Sequence, residues 1–151
     1  MKCFNCGSAT FKRGQVPIAL TVGGVEFAGE VPGGRCSSCD ASTVNGEAGA
    51  RFELQVAAEL VPRGLRSGEA FRFMRKALGM KAAELAEVMN VAAETLSRWE
   101  NGQREVDWPE FMVLGFLVDD KLAGRTTVLA RAKALAEPQT NRYVRLRFQP
   151  P

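Results

Sequence analysis

At 151 residues the chain has room for one domain or for two small ones. Its 46% hydrophobic and 25% charged residues are those of a folding, soluble protein and exclude a disordered tail. A formal charge of +3 with a sequence pI near 8.8 is compatible with a nucleic-acid partner without arguing for one. The N-terminal MKCFNCGSATFKRG lacks the apolar run of a signal peptide, and the longest apolar stretch, FMVLGFLV at 111–118, is too short to span a bilayer. The expectation is a cytoplasmic protein with no membrane partner, whose thiols are kept reduced.

The four cysteines fall as Cys3-Phe-Asn-Cys6 and Cys36-Ser-Ser-Cys39. Two intervening residues let both sulfurs of a pair turn toward one point, and two such knuckles together supply four thiolates in the tetrahedron that zinc prefers. The chain contains no histidine, so the only full ligand set is all-cysteine. Four thiolates leave no open position for water, which makes the expected single Zn2+ per chain structural rather than catalytic. A redox dithiol or a pair of disulfides is the competing reading of the same residues. Residues 1–45 are otherwise too few for a good core, and metal binding worth ~10–16 kcal/mol in small zinc domains would stabilise them.

Between the knuckles, VPIALTV (16–22) and VEFAGEV (25–31) are β-prone, and Gly23-Gly24 between them predicts a hairpin turn. Its edge could accept a partner's strand, although small sheets commonly have a free edge. From Asn45 the composition becomes alanine-rich. Ala48, Phe52, Val56 and Leu60 recur at helical spacing until Pro62-Arg63-Gly64, predicting a connecting helix and linker over 46–66 with one apolar face under the zinc domain.

Residues 67–120 divide into four helices. Ser67 caps the first, which holds Phe71, Met74 and Leu78 on one face and closes at Gly79. The second is 81–89, ended by Asn90; the third runs from Ala92 to Asn101; and Pro109 opens a fourth with Phe111, Leu114 and Leu117. Two short helices across a tight turn form a helix-turn-helix unit, whose second member enters the DNA major groove. In the segment 121–151, Val128, Leu129, Ala132 and Leu135 predict a further helix ended by Pro138, and YVRLRF at 143–148 alternates as a strand does.

FRFMRKALGMKAAELAEVMNVAAETLSRWENG (71–102) resembles the repressor-type (XRE/Cro) helix-turn-helix family, and with the preceding CxxCG and CxxC the order resembles the YgiT-type zinc finger plus helix-turn-helix architecture of the MqsA antitoxin family. The resemblance covers roughly residues 1–120. It implies an α+β protein with a small zinc-clipped β domain joined by a helix to an all-α DNA-binding domain. It also implies a homodimer that joins a small toxin through the zinc domain and represses its own operon through the helices. A free-standing regulator without a toxin is the alternative. A cysteine redox enzyme is the rival of another class, with no histidine, open metal position or clustered acid pair to work with.

By the same resemblance, Arg75 pairs with Glu100 and ties the first helix of 67–120 to the end of the third. Leu96 and Trp99 belong to the core beside Leu85, with base stacking by Trp99 the lesser alternative. Ala93, Glu94, Ser97 and Arg98 face outward, with Thr95 at the margin. Arg98 resembles a family base reader and can pair bidentately with guanine. Glu94 occupies a reader position where the family commonly has asparagine; it either accepts from cytosine N4 or is a solvated helix charge. Lys81 stands where the family has a Ser or Thr cap, and with Gln103 and Arg104 is a candidate phosphate contact. Residues 67–107 hold six Lys/Arg against seven Asp/Glu, net −1, so weak non-specific DNA binding is expected.

Overall fold

The computed structural model describes residues 2–125 and 127–135. The apolar alternation of 16–22 and 25–31 forms a hairpin, β1 (Phe11–Val22) and β2 (Val25–Cys36), closed by Gly23 and Gly24 at φ 60° and 77°. Two consecutive positive φ values match the right-handed twist of the flanking strands, which is why a Gly-Gly pair closes this turn. Both strands run five residues further from the turn than their apolar stretches indicate, so that Phe11 pairs with Cys36. Backbone pairing continues through Gly14, Gly33 and Gly34 although those residues bring no side chain to the core. A third strand, β3 (Ser42–Val44), adds antiparallel to β2 and gives the sheet order β1-β2-β3. Gly33 makes that approach feasible, since a Cβ there would lie 2.3 Å from the Thr43 carbonyl oxygen and 2.5 Å from Val16 Cγ2.

Val16, Val22 and Val31 are buried on one face of the hairpin, with Ile18, Leu20 and Phe27 partly buried against the same cluster. This face meets α1 (Gly46–Leu60), whose N-terminus is capped by Asn45 Oδ1 accepting from the backbone N–H groups of Glu47 and Ala48 at 3.0 and 3.2 Å. Phe52 lies so close to the sheet that a Cβ on Gly29 would come within 2.9 Å of its ring. The expectation of a single apolar face on this helix needs correction. Leu54 and Ala57 are buried as well as Phe52, Val56 and Leu60, and α1 also packs against two of the following helices. A widened apolar arc of this kind is what a helix needs when it has neighbours on two sides.

Helices α2 (Gly68–Ala77), α3 (Ala82–Val88), α4 (Ala93–Glu100) and α5 (Trp108–Leu122) follow. Ser67 Oγ accepts from Ala70 N–H at 3.1 Å and caps α2, while Asn90 takes the left-handed φ of 52° between α3 and α4. Asparagine tolerates that conformation better than other non-glycine residues, which fits its place at the turn. Gly115 of α5 seats Val61, with no room for a Cβ (2.5 Å to Cγ2), and Lys121 Nζ donates to the terminal carbonyl of Leu78 at 2.7 Å. Helix α6 (Thr127–Leu135) packs against α3 and α5, with an ion pair from Lys133 to Glu84. Pro138 and the expected strand at 143–148 lie outside the described residues. The buried side chains form one continuous cluster from Val16, Val22 and Val31 through α1 to Phe71, Leu85, Trp99 and Phe111. The architecture is α+β, a three-stranded sheet with clustered cysteines followed by helices.

Candidate metal centre and nucleic-acid interface

The two CxxC segments fold into the same turn. In the first, Gly7 N–H donates to the Cys3 carbonyl at 2.9 Å and Cys3 N–H to the Ser8 carbonyl at 2.7 Å; in the second, Asp40 N–H donates to Cys36 and Cys36 N–H to Ala41, at 3.1 and 2.9 Å. Gly7 and Asp40 occupy the equivalent left-handed position, at φ 72° and 57°. Sequence reasoning passed over Asp40; the signal was its place one residue after the second CxxC, matching Gly7 after the first. The long hairpin presents Cys36 at the end of β2, and the N-terminal segment returns over it. The sulfurs consequently meet across the knuckles, Cys3 with Cys39 and Cys6 with Cys36, each pair 3.6 Å apart.

All four Sγ atoms lie within 4.8 Å of one another. A tetrahedral ion with arms of ~2.3 Å requires sulfur separations of about 3.8 Å, so the cluster fits a four-thiolate metal site. Cys3 and Cys36 are buried, Cys39 is half-buried and Cys6 is exposed. The Ser38 backbone N–H, 3.5 Å from Cys36 Sγ, favours the thiolate and lowers the Cys36 pKa to about 6. Cys39 is also lowered, chiefly by the Ala41 backbone and then by the Asn5 side chain. Cys6 moves the other way, up to about 12. The Ser8 backbone favours its thiolate, but the contact with Cys39, desolvation and the contacts with Cys36 and Cys3 together oppose a further negative charge.

In the helical half, Arg75 and Glu100 form a two-pronged pair, Nε to Oε1 at 2.5 Å and Nη2 to Oε2 at 2.9 Å, while Arg75 Nη1 donates to the Met80 carbonyl at 2.8 Å. Their side chains are only 10% and 7% exposed. The hydrogen bonds that Arg75 donates to Glu100 raise its pKa against the opposing effect of burial. Trp99 is buried and meets Phe71 edge-on at 5.7 Å, so its ring is committed to packing and is not offered to a base. Gly68 fits under the end of α4, where a Cβ would lie 2.1 Å from the Trp99 carbonyl oxygen.

Ala93, Glu94, Ser97 and Arg98 are exposed on α4, with Thr95 half-buried between them and the core residues Leu96 and Trp99. Glu94 and Arg98 are joined, Nη2 to Oε1 at 2.6 Å, a pairing their four-residue spacing could have signalled. Ser97 Oγ accepts from Asn101 Nδ2 at 3.3 Å. The following loop folds back so that the N–H groups of Gln103 and Arg104 both reach the Arg98 carbonyl, at 2.9 and 3.2 Å. That brings their exposed side chains beside the outward face of α4, although Arg104 also contacts Asp107 at 3.3 Å. Lys81 is exposed at the N-cap of α3 and makes no side-chain capping bond.

Among the described residues, no helix is long and apolar enough to cross a membrane. The profile of the family described as the antitoxin component of bacterial toxin-antitoxin system, MqsA, matches residues 1–120. No curated protein matches the chain.

Proposed function

Because the chain belongs to the MqsA antitoxin family, we propose that it is an antitoxin that binds operator DNA as a homodimer, represses its own operon and neutralises a small toxin through its N-terminal domain. The observation that carries the DNA arm is the solvent-facing row Glu94, Ser97 and Arg98 on the second helix of a helix-turn-helix held by the buried Arg75–Glu100 pair. Such a helix is the element that enters a major groove, and Arg98 has the fork that pairs with guanine O6 and N7. Lys81, Gln103 and Arg104 flank the row as phosphate contacts, and Thr95 lies at its margin.

The metal of the thiolate cluster is Zn2+, one per chain, with a structural role: four sulfur ligands satisfy its preference and leave no site for a reacting water. It joins the N-terminal segment to the end of the hairpin. Support for the homodimer comes from α5, which leaves Trp108, Val113 and Phe116 exposed at 41%, 46% and 56%. Two copies would also double the few phosphate contacts of a helical unit whose net charge is −1.

The test is binding of the zinc-loaded protein to duplex DNA from its own promoter over a range of salt. Affinity should fall linearly on a logarithmic plot as salt rises. Lys81→Ala and Arg104→Ala should weaken all sequences alike, whereas Arg98→Ala should remove sequence preference. Preference that survives Arg98→Ala would defeat the reader assignment. For the toxin arm, the full chain should co-purify with the product of a neighbouring gene.

A further inference from the structure

The knuckle end of the sheet carries groups that neither the helix-turn-helix nor the thiolate cluster uses. Phe4, between the two cysteines of the first knuckle, is 77% exposed, more than any other large apolar side chain among the described residues. Its turn is stitched to the second knuckle, Ser38 Oγ donating to Ser8 Oγ at 3.1 Å and Ser37 N–H to the Thr10 carbonyl at 3.0 Å, so the ring stands on a fixed mount. Lys2, Lys12, Arg13 and Arg35 are exposed at the same end, and among the described residues none of them is paired with a carboxylate. Charge is segregated along the hairpin. Residues 2–15 and 32–44 hold these four cations against Asp40, whereas residues 16–31 hold Glu26 and Glu30 and no Lys or Arg. Lys12 stands directly opposite Arg35 across the β1–β2 ladder, a like-charge pairing that costs stability. A lysine on the edge strand β1 can block stray strand pairing, but Arg35 lies on the central strand, which has no edge to protect. On the other face of β1, Phe11 and Arg13 border a groove of about 640 Å³ that runs past Gly14 and Gly34 and reaches Ala9, in the segment returning from the first knuckle.

We infer that this end of the sheet is a binding site for single-stranded RNA, in which Phe4 stacks on a base and Lys12, Arg13 and Arg35 take the phosphates. The inference goes beyond the antitoxin reading and does not depend on the helix-turn-helix. Every base has a π face, so an exposed ring on a fixed mount is a sequence-tolerant platform, and flanking cations follow the backbone of the strand. Successive strand residues point to opposite faces, which puts Lys12 and Arg13 on the two sides of the edge strand β1. A flexible single strand can pass over that edge and meet both; a duplex, stiff over ~150 base pairs, cannot. The groove beside Phe11 and Arg13 has room for a nucleotide, since even a Cβ added at Gly14 would meet nothing within 4 Å. Exposed hydroxyls on Thr10, Ser37 and Ser38 offer partners to the 2′-OH, the group that tells RNA from DNA. Cations that only offset the charge of a four-thiolate metal site would need no exposed aromatic ring beside them. An acidic protein surface would meet the cations but leaves their division between the two faces of one edge unexplained.

The test is fluorescence anisotropy of the full-length, zinc-loaded protein with a labelled mixed-sequence RNA of about 12 nucleotides, with excess duplex DNA present to occupy the helical half. Binding should persist under that competition. Phe4→Ala should weaken it by roughly five- to a hundredfold, and Phe4→Trp should keep it. Lys12→Ala combined with Arg35→Ala should reduce the slope of log affinity against log salt by about 1.4. Because these side chains are exposed, every variant should retain the wild-type zinc content, circular dichroism and binding to promoter duplex. The deoxy form of the same oligomer should bind severalfold more weakly, and equal binding would overturn RNA as the ligand. RNA fully displaced by duplex DNA, or bound equally by wild type and Phe4→Ala, would overturn the proposal and leave the operator reading intact. A wild type that binds no RNA, with a toxin partner lost from Phe4→Ala, would overturn it in favour of a protein-docking surface.

Discussion

Arg75 ties α2 to the end of α4 in the helical half. Its guanidinium meets both oxygens of Glu100 and the Met80 carbonyl in a place with almost no access to water. Removing one partner of such a pair leaves the other charge buried without compensation, a loss of about 3–5 kcal/mol. Arg75→Ala and Glu100→Ala should each lower the unfolding free energy, measured by urea denaturation, by that amount, and the double variant should lose less than the sum of the two. An additive double variant, measured in the same denaturation series, would show that the pair does not act as a unit. The acidic character of α4 has a corresponding explanation at this scale. Glu100 is an internal brace, Glu105 lies beyond the helix and pairs with Arg66, and Glu94 alone shares the outward face with Arg98.

Among the elements, the long hairpin and its two knuckles are tied to metal chemistry. Cys36, with a pKa of about 6, is a thiolate at pH 7.5, whereas Cys6, at about 12, retains its proton until a cation displaces it. Zinc uptake at pH 7.5 should therefore release a proton from Cys6, detectable as a dependence of the calorimetric enthalpy on the buffer's ionisation heat. Below pH 6 Cys36 must be deprotonated as well, so the apparent affinity should fall more steeply with each further unit of acidification. By linkage, the lowered pKa of Cys36 favours the clustered thiolate above about 6, and that advantage is lost as the pH drops through it. Chelation should reverse the effect of the clip, with loss of amide exchange protection in residues 2–10 and 34–44 before the helices are affected. Equal protection with and without chelator would remove the metal from the folding argument.

For the whole molecule, the α5 stripe provides the test of assembly. Val113→Asp together with Phe116→Asp places two charges where an apolar contact is proposed, and sedimentation should show a change from dimer to monomer. Operator affinity should fall with it by a factor of ten or more, while the salt slope per chain remains, because the phosphate contacts of one protomer are untouched. An unchanged sedimentation coefficient would place the dimer contact elsewhere.

Elements whose causes are local were legible from the residues alone. Doubled CxxC spacing predicted the cysteine cluster, Gly23-Gly24 the hairpin turn, Ser67 and Pro109 the starts of α2 and α5, and apolar spacing the core faces of α2 to α5. The α+β class followed from their order. The outer five residues of each hairpin strand were not legible, because Gly14, Gly33 and Gly34 are held by backbone pairing and leave no apolar alternation. Strand β3 was missed for a related reason: three residues after a knuckle carry too little pattern, and only the open space at Gly33 admits them. The second packed side of α1 also escaped, since Leu54 and Ala57 became core only when helices arrived from later in the chain. Arg75 and Glu100 are 25 residues apart, and no periodicity joins them; the family resemblance implied their pairing, and the packing of α2 against α4 brings them together in space. Local rules act through neighbours along the chain, whereas burial and ion pairing depend on distances that exist only after the chain has folded.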